Sequence, residues 1–393
     1  MLVFPLVSCV DEEFYNDDFI PEGETELAAK ISFPAFTPAL ETRAAGDAIK
    51  EINSLWLMIY EKDENNEWTL ENGGKIRITA ENHHLTTSLT DNTRTDGKEQ
   101  SGAKTGHASF RFRHKNGQYK VYAVVNCDLD TFKIEALDTP EKLKNLPLTW
   151  DAGNIRNNSE MFGHFTNDKY EAVSGDETVT ISPNRTMHAW IRRAASKVTV
   201  AYDGSNLAEG VTIYLMSVAI KDIPKHCPLG MANTEPDSLI KNGEMIKYYN
   251  ETDPMPSDPN FISGYRATVT WKTPVDKSVH DDTAPALFFY ENMQGIHPDN
   301  DKRQKDTDKD GTLDYTFKDG INGGTYIEVQ AIYHSTNSKR PGYGSIKYRF
   351  MLGKDIYTNY DAERNHHYKL TLKFNKFAND VDWILITKTR SLK

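Results

Sequence analysis

The chain has 393 residues, too many for one ordinary domain and suited to two. Its 46 Lys+Arg and 57 Asp+Glu give a formal charge of −11, the opposite of the concentrated positive charge of a nucleic-acid binder. Aromatics at 11% argue for a packed core; three cysteines (Cys9, Cys127, Cys227) make neither a disulfide framework nor a CxxC site, and no apolar run nears the ~20 residues of a membrane-spanning helix.

Residues 2–7 are apolar and run into Ser8-Cys9, and Asp11, Glu12, Glu13, Asp17 and Asp18 follow at once. An apolar stretch closed by small residues and a cysteine looks like a bacterial lipobox, with Cys9 acylated and residues 1–8 a signal remnant. Two acyl chains, at about 0.8 kcal/mol per buried methylene, hold a protein on a membrane where one does not. Outer-membrane lipid is then a partner through Cys9, and residues 9–29 form an acidic tether. The alternative is a buried first strand with a small free thiol.

From residue 30 the apolar pattern repeats every two residues. Residues 55–60 are continuously apolar, as in a strand covered on both faces. Phe110 and Phe112 alternate with Arg111 and Arg113, and Asn116-Gly117 then reads as a hairpin turn into residues 119–126. The clearest helix is 140–146, with Thr139 as N-cap and Pro140 in its first turn. Further strands are expected at 178–181, 197–202, 211–220, 265–271, 286–290, 325–333, 345–352 and 367–374. The chain therefore reads as mostly β, built as sandwiches with few short helices. The turn signal Ser182-Pro183-Asn184 opens a boundary near 183–195, dividing it into an N-terminal β-sandwich at 30–185 and a C-terminal one at 190–393.

Catalytic patterns are absent: there is no GxxxxGK[ST], GxSxG or HExxH, and the expectation is a protein that is not an enzyme. His83-His84 and His366-His367 are adjacent pairs, whose members point to opposite faces of a strand. Cys227 has no identifiable partner base. One motif is specific. Asp306, Asp308, Asp310, Gly311 and Asp314 form a DxDxDGxxD loop within the Asp-rich stretch 299–314, and these carboxylates with the carbonyl of Thr312 supply most of a calcium shell. Its twelfth position is Phe317, not the bidentate Glu of an EF-hand. A solvated acidic loop carrying Lys302, Arg303, Lys305 and Lys309 is the other reading. No cofactor beyond this cation is implied.

Several pieces together resemble the fimbrillin-like subunits of Bacteroidetes type V pili. They are the lipobox, Glu41-Thr42-Arg43-Ala44-Ala45-Gly46-Asp47, Ile191-Arg192-Arg193-Ala194-Ala195-Ser196-Lys197-Val198, Phe288-Phe289-Tyr290-Glu291-Asn292-Met293-Gln294-Gly295, Arg364-Asn365-His366-His367-Tyr368 and Asn379-Asp380-Val381-Asp382-Trp383. The resemblance implies two tandem transthyretin-like, Greek-key β-sandwiches, a lipoprotein precursor, and a place in a surface fimbria at the cell outer membrane, with the Asp-rich loop more like tip or minor members. It also implies assembly by strand addition to other fimbrial subunits, after proteolytic processing at Arg43 removes a first strand. That detachable strand would carry Ile31, Phe33 and Phe36, with Pro34 confining it to a sheet edge; a seat threaded through the middle of a sheet would require polymerisation by strand exchange to be abandoned. Residues 384–387 read either as a donor strand or as a core strand. Ligands on host or bacterial surfaces are further expected partners. The alternatives are a non-polymerising glycan-binding lipoprotein, with Trp68, Trp150 and Trp271 as a platform, and a secreted hydrolase.

Overall fold

Pro21, Glu22 and Gly23 turn the chain into its first sheet, with Gly23 at φ 85° and the Glu24 amide donating to the Pro21 carbonyl at 3.1 Å. In the computed structural model, which describes residues 20–34, 52–93, 99–168, 176–247, 286–296, 324–354, 359–377 and 380–386, β1 (Glu24–Pro34) begins there. Half of it lies in the stretch expected as tether. Its alternation was masked by composition, because Glu24, Glu26 and Lys30 face away from the buried Leu27, Ala29 and Ile31.

The remaining strands of the first half are β2 (Leu55–Lys62), β3 (Trp68–Arg77), β4 (Thr86–Thr93), β5 (Glu99–Lys115), β6 (Gly117–Val125), β7 (Pro147–Thr149), β8 (Met161–Thr166), β9 (Thr178–Ile181), β10 (Thr186–Trp190) and β11 (Arg192–Arg193). One sheet runs in the order β3-β2-β6-β8-β10-β1-β5-β4, with β9 on β6 and β11 on β8. It folds over on itself. Leu27, Ile31, Phe110 and Met187 on one side meet Leu57, Ile59, Val121 and Val179 on the other in a single core.

Two sequence expectations are corrected here. β1 is not at an edge: it lies between β10, to which it is parallel, and β5, to which it is antiparallel. Pro34 is tolerated because the β10 ladder ends at Ser32↔Trp190, so the missing N–H falls beyond it on that side. Nor do Asn116 and Gly117 join a hairpin. β5 and β6 are partners of different strands, and neither turn residue has the positive φ that a two-residue hairpin loop needs.

The α-helices are short: α1 (Ala80–His83), α2 (Pro140–Lys144) and α3 (Ala152–Asn158). Two of them, α2 and α3, put Leu143 and Ile155 into the core on the other face of β2 and β6, and α1 lies against β5 with no buried residue. α2 has the expected cap, with the Thr139 hydroxyl accepting from the Lys142 amide at 3.3 Å.

The second half contains β12 (Ala195–Leu207), β13 (Val211–Lys221), β14 (Ile223–Pro224), β15 (His226–Pro228), β16 (Leu239–Ile240), β17 (Met245–Lys247), β18 (Leu287–Tyr290), β19 (Tyr326–Ser335), β20 (Gly342–Met351), β21 (His367–Lys376) and β22 (Asp380–Ile386). Two four-stranded sheets, β18-β12-β21-β22 and β17-β13-β19-β20, enclose a core that includes Val198, Leu370 and Phe289 from the first and Ile213, Val329 and Phe350 from the second. The protein is thus mostly β, with helices few and short.

A third core joins the halves. β2 presents Leu55, Leu57 and Ile59 to the first core but Trp56, Met58 and Tyr60 to this one. β18 does the same, with Leu287 and Phe289 in its own sandwich and Phe288 and Tyr290 in the shared core. Such strands have no polar face because neither face meets water. β15 also pairs with β7 across the halves, from His226↔Thr149 to Pro228↔Pro147.

Candidate functional site: the seat of the first strand

β1 is held by main chain on both sides. It pairs with β5 over its whole length, from Glu24↔Lys115 to Pro34↔Thr105, and with β10 from Ala28↔Thr186 to Ser32↔Trp190. The Ile191 amide donates to the Ser32 carbonyl at 3.0 Å. Leu27, Ala29 and Ile31 are 0%, 1% and 0% exposed, so every second side chain is sunk in the floor of the seat. On the outer face the Ser32 hydroxyl meets His107 Nδ1 at 3.1 Å, and Lys30 is exposed. Of the residues expected in the detachable strand, Ile31 lies in this floor and Phe33 pairs with Gly106 in the ladder. Phe36 and Arg43 lie outside the described residues.

Cys9, the loop residues Asp306, Asp308, Asp310, Thr312 and Asp314, and Trp271 also lie outside the described residues. Among the described residues no three His, Cys, Asp or Glu side chains gather as a metal site. Cys127 and Cys227 are buried free thiols, and burial pushes both up to about 12, which makes them poor nucleophiles. Trp68 and Trp150 are half-buried, packed against the shared core. His366 and His367 face different partners: His366 Nδ1 meets the Arg364 carbonyl at 2.6 Å, whereas His367 Nε2 meets Thr199 Oγ1 at 2.9 Å.

Three of the sequence pieces that looked alike only as motifs meet at the junction of the halves. Arg364 donates from Nε and Nη2 to Glu291 Oε2 at 3.1 and 2.9 Å. The rest of its guanidinium is filled by the carbonyls of Leu229 at 2.8 Å, Pro228 at 3.1 Å and Met231 at 2.5 Å. Glu291 also accepts from the Asn233 amide at 2.9 Å. One residue on, Asn365 Oδ1 accepts from the Arg193 main chain and Nη1, both at 3.3 Å, and the Asn365 amide donates to the Ala195 carbonyl at 3.0 Å. Ser196 Oγ donates to the Glu363 carbonyl at 2.6 Å and accepts from the His366 amide at 2.8 Å. These partners lie up to 172 residues apart, so spacing held no signal of their meeting.

Glu160 lies in the same junction, 6% exposed. Asn154 Nδ2 donates to its Oε1 at 3.2 Å and the Tyr290 hydroxyl to its Oε2 at 3.4 Å. Burial, with a smaller push from Asp151, raises its carboxyl to about 7, against the pull of its hydrogen bonds.

Residues 287–372, which begin at β18 and end within β21, match a family model described as a domain of unknown function, DUF4906. That span contains both Glu291 and Arg364. No curated protein matches the chain. Among solved structures, one from Parabacteroides distasonis assigned to cell adhesion is 9% identical, covering 93% of this chain and 98% of its own, at a TM-score of 0.48. The tip fimbrial protein Mfa3 from Porphyromonas gingivalis, with a C-terminal truncation, is 10% identical over 92% and 99%, at 0.43. A fimbrial assembly protein from Parabacteroides distasonis is 11% identical over 93% and 96%, at 0.40. None of these likenesses assigns a role to a residue of this chain.

Two outcomes follow from the junction. The folded chain binds the Glu160 proton more tightly than the unfolded one, so the carboxyl costs nothing below pH 4.5 and destabilises increasingly as pH rises to about 7. Glu160→Gln should match the wild type in urea titrations at pH 4 and exceed it by roughly 1–3 kcal/mol at pH 8; equal stability at both values would contradict this. Arg364→Ala leaves Glu291 buried without its partner and should cost about 3–5 kcal/mol. Arg364→Lys should recover little of that loss, because an ammonium cannot fill the planar fork. Thermal melting of both variants checks it.

Proposed function

We propose that the chain is a structural, non-catalytic subunit of a surface fimbria, exported as a lipoprotein through Cys9 and held at the outer membrane. Its partners are other fimbrial subunits, joined by strand addition at the seat of β1 after cleavage near Arg43. One observation carries the reading: the first described element fills a position between two strands that do not otherwise pair. A single cut between residues 35 and 51 separates it from β2 without severing any other described pairing.

The interior position changes how exchange runs. The seat inside the sheet contradicts the edge-seated plug on which exchange was expected to depend, so exchange by peeling at a margin is abandoned and what is proposed is replacement in place. A strand held on both sides leaves as another enters, ladder by ladder. The vacated seat offers unpaired donors and acceptors on β5 and β10 above an apolar floor, the arrangement that captures an extended segment by β-augmentation. Contact made this way is heterologous, and it builds a filament instead of a closed ring. The half-buried Trp68 and Trp150 weigh against a glycan platform built from them.

Limited trypsin digestion in the presence of a labelled peptide of residues 20–36 tests the proposal. The cut chain should take up the label as its own β1 leaves, and the uncut chain should not. A cut chain that keeps its own β1 and never incorporates label contradicts strand addition at this seat.

A further inference from the structure

We infer that the seat of β1 selects its occupant by size and register, taking an extended segment of another protein that reads large–any–small–any–large, and that it excludes β22 of a second copy of this chain. The inference rests on the proposal that the seat is refillable.

The pattern is written in the neighbours of the three inward residues. Ala29 stands opposite Phe110 on β5 and Met187 on β10. Ile31 stands opposite Ala108 and Ala189. Leu27 stands opposite Phe112 and has no partner on β10, whose ladder starts at Ala28↔Thr186. Directly opposed residues on one face of a sheet are packing neighbours. The seat is therefore narrow at its centre, where two long side chains close in, and wide at Ile31, where two alanines leave room. All of these residues are buried in one core, so none can swing into solvent to make space.

Each misfit has a distinct cost. A slip by two residues sets a large aliphatic between Phe110 and Met187 and a methyl between Ala108 and Ala189, giving overpacking at one site and a cavity at the next. A slip by one turns Ala28, Lys30 and Ser32 into the core.

The chain's own β22 reads Asp380-Val381-Asp382-Trp383-Ile384-Leu385-Ile386. Placing Val381 and Leu385 in the sites of Leu27 and Ile31 puts Trp383 where the seat takes alanine. The other phase puts Ile384 there and Asp382 in a flanking apolar site. Neither fits, so copies of this chain do not link through β22. The partner is a different subunit presenting a segment such as Leu-x-Ala-x-Ile.

The test uses the full chain, cut between residues 35 and 51, with labelled peptides read by native mass spectrometry. A peptide of residues 20–36 should enter. The same peptide with Ala29→Leu, and a peptide of residues 378–388, should enter at least tenfold less. Entry of either as readily as the native peptide overturns the size code while leaving strand addition intact. If no peptide enters, strand addition fails, and the code is decided in the uncut chain. There Met187→Ala should cost at least tenfold less in the folding equilibrium when Ala29→Leu is present than when it is absent, and strictly additive losses overturn it.

Discussion

The position of β1 between β5 and β10 is the constraint on which the first half depends. Without it the sheet parts into two pieces whose facing edges carry unpaired amides and carbonyls, and the core loses Leu27, Ala29 and Ile31. Backbone groups left unpaired away from water are costly, so the empty seat is a high-energy state that any suitable extended segment relieves. Main-chain ladders on two sides supply the hold, and alternation of bulk along the floor supplies the choice of segment.

The second half contributes rigidity. Strands with two apolar faces, β2 and β18, pass the core of each sandwich through to a shared third core. Arg364 and Glu291 then lock the segment carrying β15, Leu229 and Met231 beneath it, with side-chain exposures of 14% and 6%. A guanidinium this well bonded is satisfied in place, and a shift of the segment would strand both charges. The two halves accordingly share buried contacts and main-chain pairing.

Much of this was legible in the sequence, and the failures have physical reasons. Residues 55–60 and 287–290 announce two-sided burial because no polar position interrupts them. α2 is legible because Thr139 and Pro140 act within one turn. β1 was placed at a margin on the strength of Pro34, but a proline speaks only for its own N–H, and the β10 ladder stops two residues before it. Residues 24–29 passed for tether because Ala29, the small residue that the seat requires, gives little hydrophobic signal among charges. The junction was illegible as geometry. Arg364 and Glu291 are 73 residues apart, and nothing local to either forecasts the other.

Hydrogen exchange on the cut chain tests the central claim most directly. With β1 displaced, the amides of residues 106–115 and 186–191 should lose protection while those of β12, β19 and β21 keep theirs, and a peptide of residues 20–36 should restore the first set. Protection unchanged on losing β1, or lost across both halves together, would mean that the seat is not a separable, refillable part of this fold.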